Sequence, residues 1–160
     1  MRLRDGGDIR RVLSDYSTMV YRLAYARTNS HGDAEDISQE VFMTLVRKNP
    51  DFKTEGERKA WLIRVTINRS NSLWRAPWSK RVELRAGMED ATAGDDFSEV
   101  REALAALSGN DRTLVYLYYF EGYRTDEIAR MLKRKPDAVR QQLSRARKKL
   151  KRIMDEGVSE

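Results

Sequence analysis

Val12, Tyr16, Met19, Val20 and Leu23 recur at spacings of three and four, the pattern of one buried helix face. The polar break Thr28-Asn29-Ser30-His31-Gly32 interrupts them, and Ala34, Ile37, Val41 and Leu45 then form a second stripe, widened by Phe42 and Val46. Asp33 is placed to cap this second helix, with Asp36 three residues on as an acidic variant of the capping box; Pro50 ends it. The stretch from Asn49 to Glu57 reads as a polar loop carrying one exposed aromatic, Phe52. A third helix is predicted from about Glu57 to Trp74, with Trp61, Leu62, Val65 and Leu73 turned to a core.

Periodicity is lost from Ala76 to about Asp96, where Pro77, Gly87, Gly94 and several acids mark a tether. A helical pattern resumes near Phe97 with Val100, Leu104 and Leu107, and breaks at Ser108-Gly109-Asn110. The run Leu114 to Phe120 is rich enough in β-branched and aromatic residues to permit a short strand. Helix is the preferred reading, because every neighbour is helical and no partner strand is evident. The expected fold is therefore all-α: two small helical domains, residues 8–76 and 97–154, joined by a flexible linker over 77–96.

The sharpest local pattern lies at the carboxyl end. Thr125 is placed to cap a short helix in which Ile128 and Leu132 face inward and Ala129 permits close approach of a neighbour. A basic turn, Lys133-Arg134-Lys135, leads to Pro136, which suits the first position of a helix. Val139, Leu143, Ala146 and Leu150 then make one buried seam. This is a helix-turn-helix, whose second helix enters the major groove. Opposite the seam stand Arg140, Gln141, Ser144, Arg145 and Lys148, suited to base edges, where Arg can bond guanine and Gln adenine. Lys133, Lys135, Arg147 and Lys149 are placed for phosphates, which position without specifying sequence. A plain amphipathic hairpin is the bland alternative.

Composition narrows the function. The 160 residues are 40% hydrophobic and 35% charged, contain no cysteine, and include one histidine, His31. Disulfides, thiolate metal sites and cysteine nucleophiles are excluded, and a multi-histidine metal site with them. The absence of a long apolar run and of a signal-like start predicts a cytoplasmic protein with no direct membrane insertion. The net charge of +6 is uneven. Residues 1–80 carry 15 Lys/Arg against 10 Asp/Glu, residues 81–110 carry 3 against 7, and residues 111–160 carry 13 against 8. Between Lys133 and Arg152 there are ten basic residues and one acid, Asp137, which points to nucleic acid. Neither a cofactor motif nor a metal site is evident, and no enzymatic activity is expected.

The amino-terminal half separates the many regulators that carry such a helix-turn-helix. Residues 33–42, DAEDISQEVF, followed after a loop by residues 59–68, KAWLIRVTIN, resemble region 2 of bacterial RNA polymerase sigma factors. Residues 139–150, VRQQLSRARKKL, resemble the end of sigma region 4. With a short tether between them, the chain resembles an extracytoplasmic-function (ECF) sigma factor over roughly Asp8 to Met154. The resemblance implies that Glu35, Asp36, Gln39 and Glu40 grip the clamp helices of the largest subunit of core RNA polymerase, beside the apolar Ile37 and Val41. It implies a second polymerase contact with the flap of the second-largest subunit. It assigns −10 promoter DNA to Phe52 and Asn68, with Arg64, Arg69 and Asn71 as further contacts, and −35 DNA to the helix-turn-helix. An anti-sigma factor is implied as a further partner. Trp61 and Trp74 are expected in the core, and His31 as an ordinary surface residue. Two departures from the family pattern stand out: the wholly basic turn Lys133-Arg134-Lys135, and Gln142 where an arginine is frequent.

Overall fold

The structure, a computed structural model, describes residues 2–74 and 98–158. The described helices fall into two compact units, each with its own core. The predicted linker over 77–96, including Trp78, lies outside the described residues, as does the side chain of Trp74.

The first unit is three helices in mutual contact: α1 (Gly6–Thr28), α2 (His31–Lys48) and α3 (Glu55–Trp74). Asp5 caps α1, its carboxylate accepting from the Asp8 amide at 3.0 Å. The cap of α2 is Ser30, not Asp33: the Ser30 hydroxyl accepts from the Asp33 amide at 3.3 Å. Asp33 stands in the first turn, buried at the positive end of the helix, where a carboxylate is favoured. Asn29 and Asn49 end α1 and α2 in the left-handed region, with φ of 52° and 41°. The Asn49 side chain also bonds both backbone groups of Leu3, at 2.9 and 3.0 Å, and so ties the leading segment down. α3 opens two residues earlier than predicted, because the Thr54 hydroxyl accepts from the Glu57 amide at 3.1 Å.

Val12, Leu23, Val41, Leu45, Leu62 and Ile63 fill this core. Trp61, Val65 and Leu73, expected inside, are half-buried. The interior face of α3 is partly polar instead. Thr66 and Ser70 are fully buried, and Ser70 accepts a bond from Nε of Arg27, itself buried on α1. A buried guanidinium must be bonded to be tolerated, and the serine answers that need.

The second unit holds α4 (Ser98–Ala105), α5 (Gly109–Val115), a π-helical turn (Tyr116–Phe120), α6 (Thr125–Leu132) and α7 (Pro136–Val158). The apolar run 114–120 is helical as preferred, though its aromatic half winds into the wider π form. Ser108 caps α5 by accepting from the Asp111 amide at 3.1 Å. Gly122, at φ 74°, turns the chain toward α6. Thr125 is the first residue of α6 rather than its cap; the Arg124 amide ahead of it donates to the Glu127 carboxylate at 3.0 Å. Lys133 closes α6 at φ 55°, and the Arg134 amide bonds the Ala129 carbonyl at 2.9 Å, so the basic turn is tight. Pro136 begins α7 as predicted, and the helix runs on past the last seam residue, Leu150, to Val158. Val139, Leu143 and Ala146 are buried against α4, α5 and α6, with Leu150 half-buried. On α6 it is Met131, not Leu132, that joins Ile128 and Ala129 inside.

Candidate nucleic-acid interface

α7 is held by its seam, so the opposite side chains are presented without further support. Arg140, Gln141, Arg145, Arg147, Lys148 and Lys149 are exposed and Ser144 is half-buried; Lys133 and Lys135 are exposed on the turn. The positions separate into two strips. Gln141, Arg145 and Lys148 lie at spacings of four and three along the outermost line, and Nε of Arg145 donates to the Gln141 carbonyl at 3.4 Å. Arg140, Ser144 and Arg147 lie one step round the helix. Their strip borders a cavity of about 390 Å³ shared with Tyr118, Arg124 and Thr125. Arg140 is paired with Asp137 one turn earlier, an exposed ion pair that a DNA contact could displace at small cost. Gln142 faces the other way. Its side-chain amide donates to the Asp111 carboxylate at 2.8 Å and ties α7 to α5.

In the first unit the five expected −10 residues do not form one group. Arg64 is half-buried and Asn68 exposed, one turn apart on the outward line of α3, with half-buried Trp61 three residues before them and exposed Ser72 four after. Arg69 reaches back to α2, donating to the Thr44 hydroxyl at 3.3 Å and standing 3.8 Å from the Glu40 carboxylate. The Asn71 side-chain Oδ1 accepts from Arg27 on α1. Phe52 is not the exposed ring expected. It is 8% exposed, meets Trp61 edge-on at 5.8 Å between centroids, and lies under the buried Arg58 guanidinium at 5.5 Å. An aromatic in a short loop between two helices has apolar surface to hide, and the space beneath the start of α3 hides it.

Glu35, Asp36, Gln39 and Glu40 are all exposed on α2. Their expected apolar companions Ile37 and Val41 are core residues instead, 4% and 0% exposed. The apolar surface beside the acidic face comes from Met43 and Val46, 67% and 47% exposed, which continue the line Asp36–Gln39 at spacings of four and three. They border an apolar groove of about 650 Å³ between α1 and α2, lined also by Leu13 and Phe42. Glu35 bonds Nε2 of His31 at 2.9 Å, and Nδ1 of His31 meets the Tyr21 hydroxyl on α1. His31 is thus exposed, as expected, and also links α2 to α1.

Sequence reasoning missed Met43, the outward position of Val46, which it set in the buried stripe of α2, and the Tyr118–Arg124–Thr125 wall. The first two were legible, since they extend the Asp36–Gln39 spacing. The wall was not, because the π-helical turn sets where Tyr118 points. Among the described residues no group of three or more His, Asp or Glu side chains could hold a metal ion, and no helix is long and apolar enough to cross a membrane.

Comparison with known proteins gives a consistent picture. Residues 12–79 match Sigma-70 region 2 and residues 97–150 match Sigma-70 region 4. The ECF RNA polymerase sigma factor SigE of Mycolicibacterium smegmatis is 27% identical over 93% of this chain and 62% of its own length. The RNA polymerase sigma factor SigV of Bacillus subtilis is 25% identical over 85% of this chain and 84% of its own. The chain spans less than two thirds of some relatives, only 38% of the probable RNA polymerase sigma factor RfaY of Xanthomonas campestris. In fold, it is similar to the sigma factor RpoE solved with the anti-sigma factor NepR from Bartonella quintana. That likeness has a TM-score of 0.74 at 23% identity, over 92% of this chain and 97% of that one. CnrH, solved with the cytosolic domain of CnrY, gives 0.69 at 22% identity over 95% and 90%.

Proposed function

On the premise that this chain belongs to the sigma-70 family, as its matches to regions 2 and 4 establish, we propose that it is an ECF-type sigma factor directing core RNA polymerase to a set of promoters. The first unit, residues 8–76, takes the clamp helices of the largest polymerase subunit on Glu35, Asp36, Gln39, Glu40, Met43 and Val46. It takes the opened −10 strand along Arg64 and Asn68. Phe52, Arg69 and Asn71 shape that surface from behind. The second unit, residues 97–154, reads −35 DNA through α7 and meets the flap of the second-largest subunit. The linker over 77–96 converts two modest DNA contacts into one bivalent contact of higher effective affinity. The protein works in the cytoplasm with its polymerase, uses no cofactor and has no catalytic step of its own. An anti-sigma factor holds it when it is idle, as NepR is seen with the sigma factor RpoE of like fold.

One observation carries the reading: a single chain joins an exposed acidic and apolar face on α2 to a basic reading helix on a helix-turn-helix. A stand-alone operator-binding regulator has no use for the first. Run-off transcription with core polymerase over a promoter library tests it. Initiation at promoters sharing two spaced elements is the expected result. Failure of the purified chain both to be retained by core polymerase and to start transcription on any template refutes it.

A further inference from the structure

His31, the only histidine of the chain, joins α1 to the acidic face of α2 through one side-chain link. Its Nε2 stands 2.9 Å from Oε1 of Glu35, one turn on along α2, and its Nδ1 meets the hydroxyl of Tyr21 on α1. The Tyr21 ring lies edge-on to the imidazole at 5.5 Å between centroids, and Tyr25, one turn further along α1, stacks on Tyr21 at 6.2 Å. A carboxylate only accepts, so the ring hydrogen lies on Nε2; in a neutral ring Nδ1 then accepts from the Tyr21 hydroxyl. The imidazole is therefore fixed at both nitrogens, by groups on two different helices.

We propose that His31 is a positioning residue for polymerase docking: it holds the Glu35 carboxylate in its outward pose and makes no contact with polymerase itself. The proposal rests on the assignment of the exposed face of α2 to core polymerase made above, and it adds a residue that this face depends on.

The spacing gives the reason. Glu35, Gln39, Met43 and Val46 follow one another at intervals of four, four and three, so Glu35 heads the outward strip that ends on the exposed apolar side chains. A glutamate at such a position, left unsupported, samples many rotamers, and ordering it in a complex costs affinity. The side chain of Glu35 is 52% exposed, yet one of its oxygens is already held. A carboxylate has room for about four hydrogen bonds, so the bond to His31 leaves capacity for a cationic or amide donor of the partner. A neutral imidazole also orients the carboxylate without offsetting its charge, which a lysine or arginine at position 31 would do. Tyr21 makes the support two-sided: the ring that holds Glu35 is itself held from α1.

The test is a double-mutant cycle on the full chain, with binding to core polymerase measured by competition against a fluorescently labelled unaltered chain. His31→Ala is expected to weaken binding roughly two- to tenfold, the cost of ordering one exposed side chain expressed as affinity. In a Glu35→Ala background the same substitution gives no further loss, because the carboxylate it serves is gone. His31→Gln, whose side-chain amide can donate to Glu35 in place of Nε2, recovers part of the affinity lost in His31→Ala. Tyr21→Phe, which removes only a hydroxyl, weakens binding less, and only while Glu35 is present. An equal loss from His31→Ala in both backgrounds overturns the proposal, since His31 would then touch polymerase directly or serve only the fold. Unchanged binding by His31→Ala overturns it too; if Glu35→Ala still weakens binding, the docking assignment stands without it. Unchanged binding by Glu35→Ala, or no binding by the unaltered chain, removes the docking reading itself and this inference with it.

Discussion

Replacing Phe52 by alanine distinguishes a ring that anchors a loop from one that captures a flipped base. The side chain is 8% exposed, touches Trp61 edge-on and lies beneath the buried Arg58 guanidinium. Removing a buried phenyl ring typically costs about 3–5 kcal/mol, and a loop that can partly collapse places this site near the lower end, about 3 kcal/mol. Within that sum, the edge-on contact accounts for about 1 kcal/mol and the guanidinium over the ring for a further ~0.5–1 kcal/mol. Phe52→Leu keeps most of the apolar area and loses chiefly those two aromatic terms. Its expected cost is about 1.5–2 kcal/mol.

Urea unfolding followed by tryptophan fluorescence measures this cleanly, because Trp61, Trp74 and Trp78 are the only tryptophans and all precede the second unit. A loss of ~3 kcal/mol in a unit of this size corresponds to a fall of roughly 10–25 °C in midpoint temperature. Open-complex formation with core polymerase is then compared below both midpoints. An anchor leaves Phe52→Leu competent there, since the leucine still fills the space. The reasoning is refuted if Phe52→Ala changes stability by less than about 1 kcal/mol while promoter opening is lost. That outcome would mean the ring leaves its place between Arg58 and Trp61 in order to work.

Three further expectations follow from single side chains. Arg145→Ala on the outermost line of α7 should lose about 1–3 kcal/mol of discrimination at one −35 position, read from transcription over single-base promoter variants; an equal loss on all variants would make it a phosphate contact. Met43→Asp should leave unfolding within about 0.5 kcal/mol, because the side chain is 67% exposed, yet weaken retention on core polymerase; undiminished retention removes Met43 from that surface. The Tyr16 phenol is pushed up to about 12, first by burial and then by its bond to the Glu55 carboxylate, so the folded state holds that proton more tightly than an unfolded chain with an ordinary pKa of about 10. The resulting stabilisation is complete below pH 10 and disappears as pH rises through 12. The stability difference between the unaltered chain and Tyr16→Phe should therefore shrink over that interval, and a difference independent of pH would contradict the assignment.

The helices were legible because burial imposes a period, and burial is what hydrophobic spacing reports. Val12 to Leu23, Ala34 to Leu45 and Val139 to Ala146 each turned inward as their spacing predicts. The caps were less legible, since Ser30 and Asp33 both lie at the right distance from α2 and only the backbone path chooses between them. The outward face of α7 was legible as a complement: once its seam is known, the rest of the helix faces out. The −10 residues were not. Arg64, Asn68, Arg69 and Asn71 differ by about 100° per residue around α3, so neighbouring polar residues belong to different surfaces. Arg69 turned to Thr44 and Asn71 to Arg27, and those partners lie on other helices. Long-range polar pairing has no local signature, and Phe52 was misread for a related cause: a lone aromatic in a loop reveals nothing about the space beneath it.

Those same pairings account for how a small three-helix unit can hold one line of α3 outward. Arg27 bonds Ser70 and Asn71, holding α1 to the last turns of α3, while Arg69 holds that part of α3 to Thr44 and Glu40 of α2. Apolar packing alone tolerates small rotations of a helix about its axis. Directional bonds from two neighbouring helices to successive residues 69, 70 and 71 oppose them from both sides. The outward line of Trp61, Arg64 and Asn68 is consequently set by contacts on the opposite side of α3. A strand that must be caught as it leaves the duplex meets groups already in position, and less ordering is left to the binding step. On the proposed reading of that line as the −10 contact, the polar interior of α3 serves promoter binding by fixing its orientation, with no need to touch DNA.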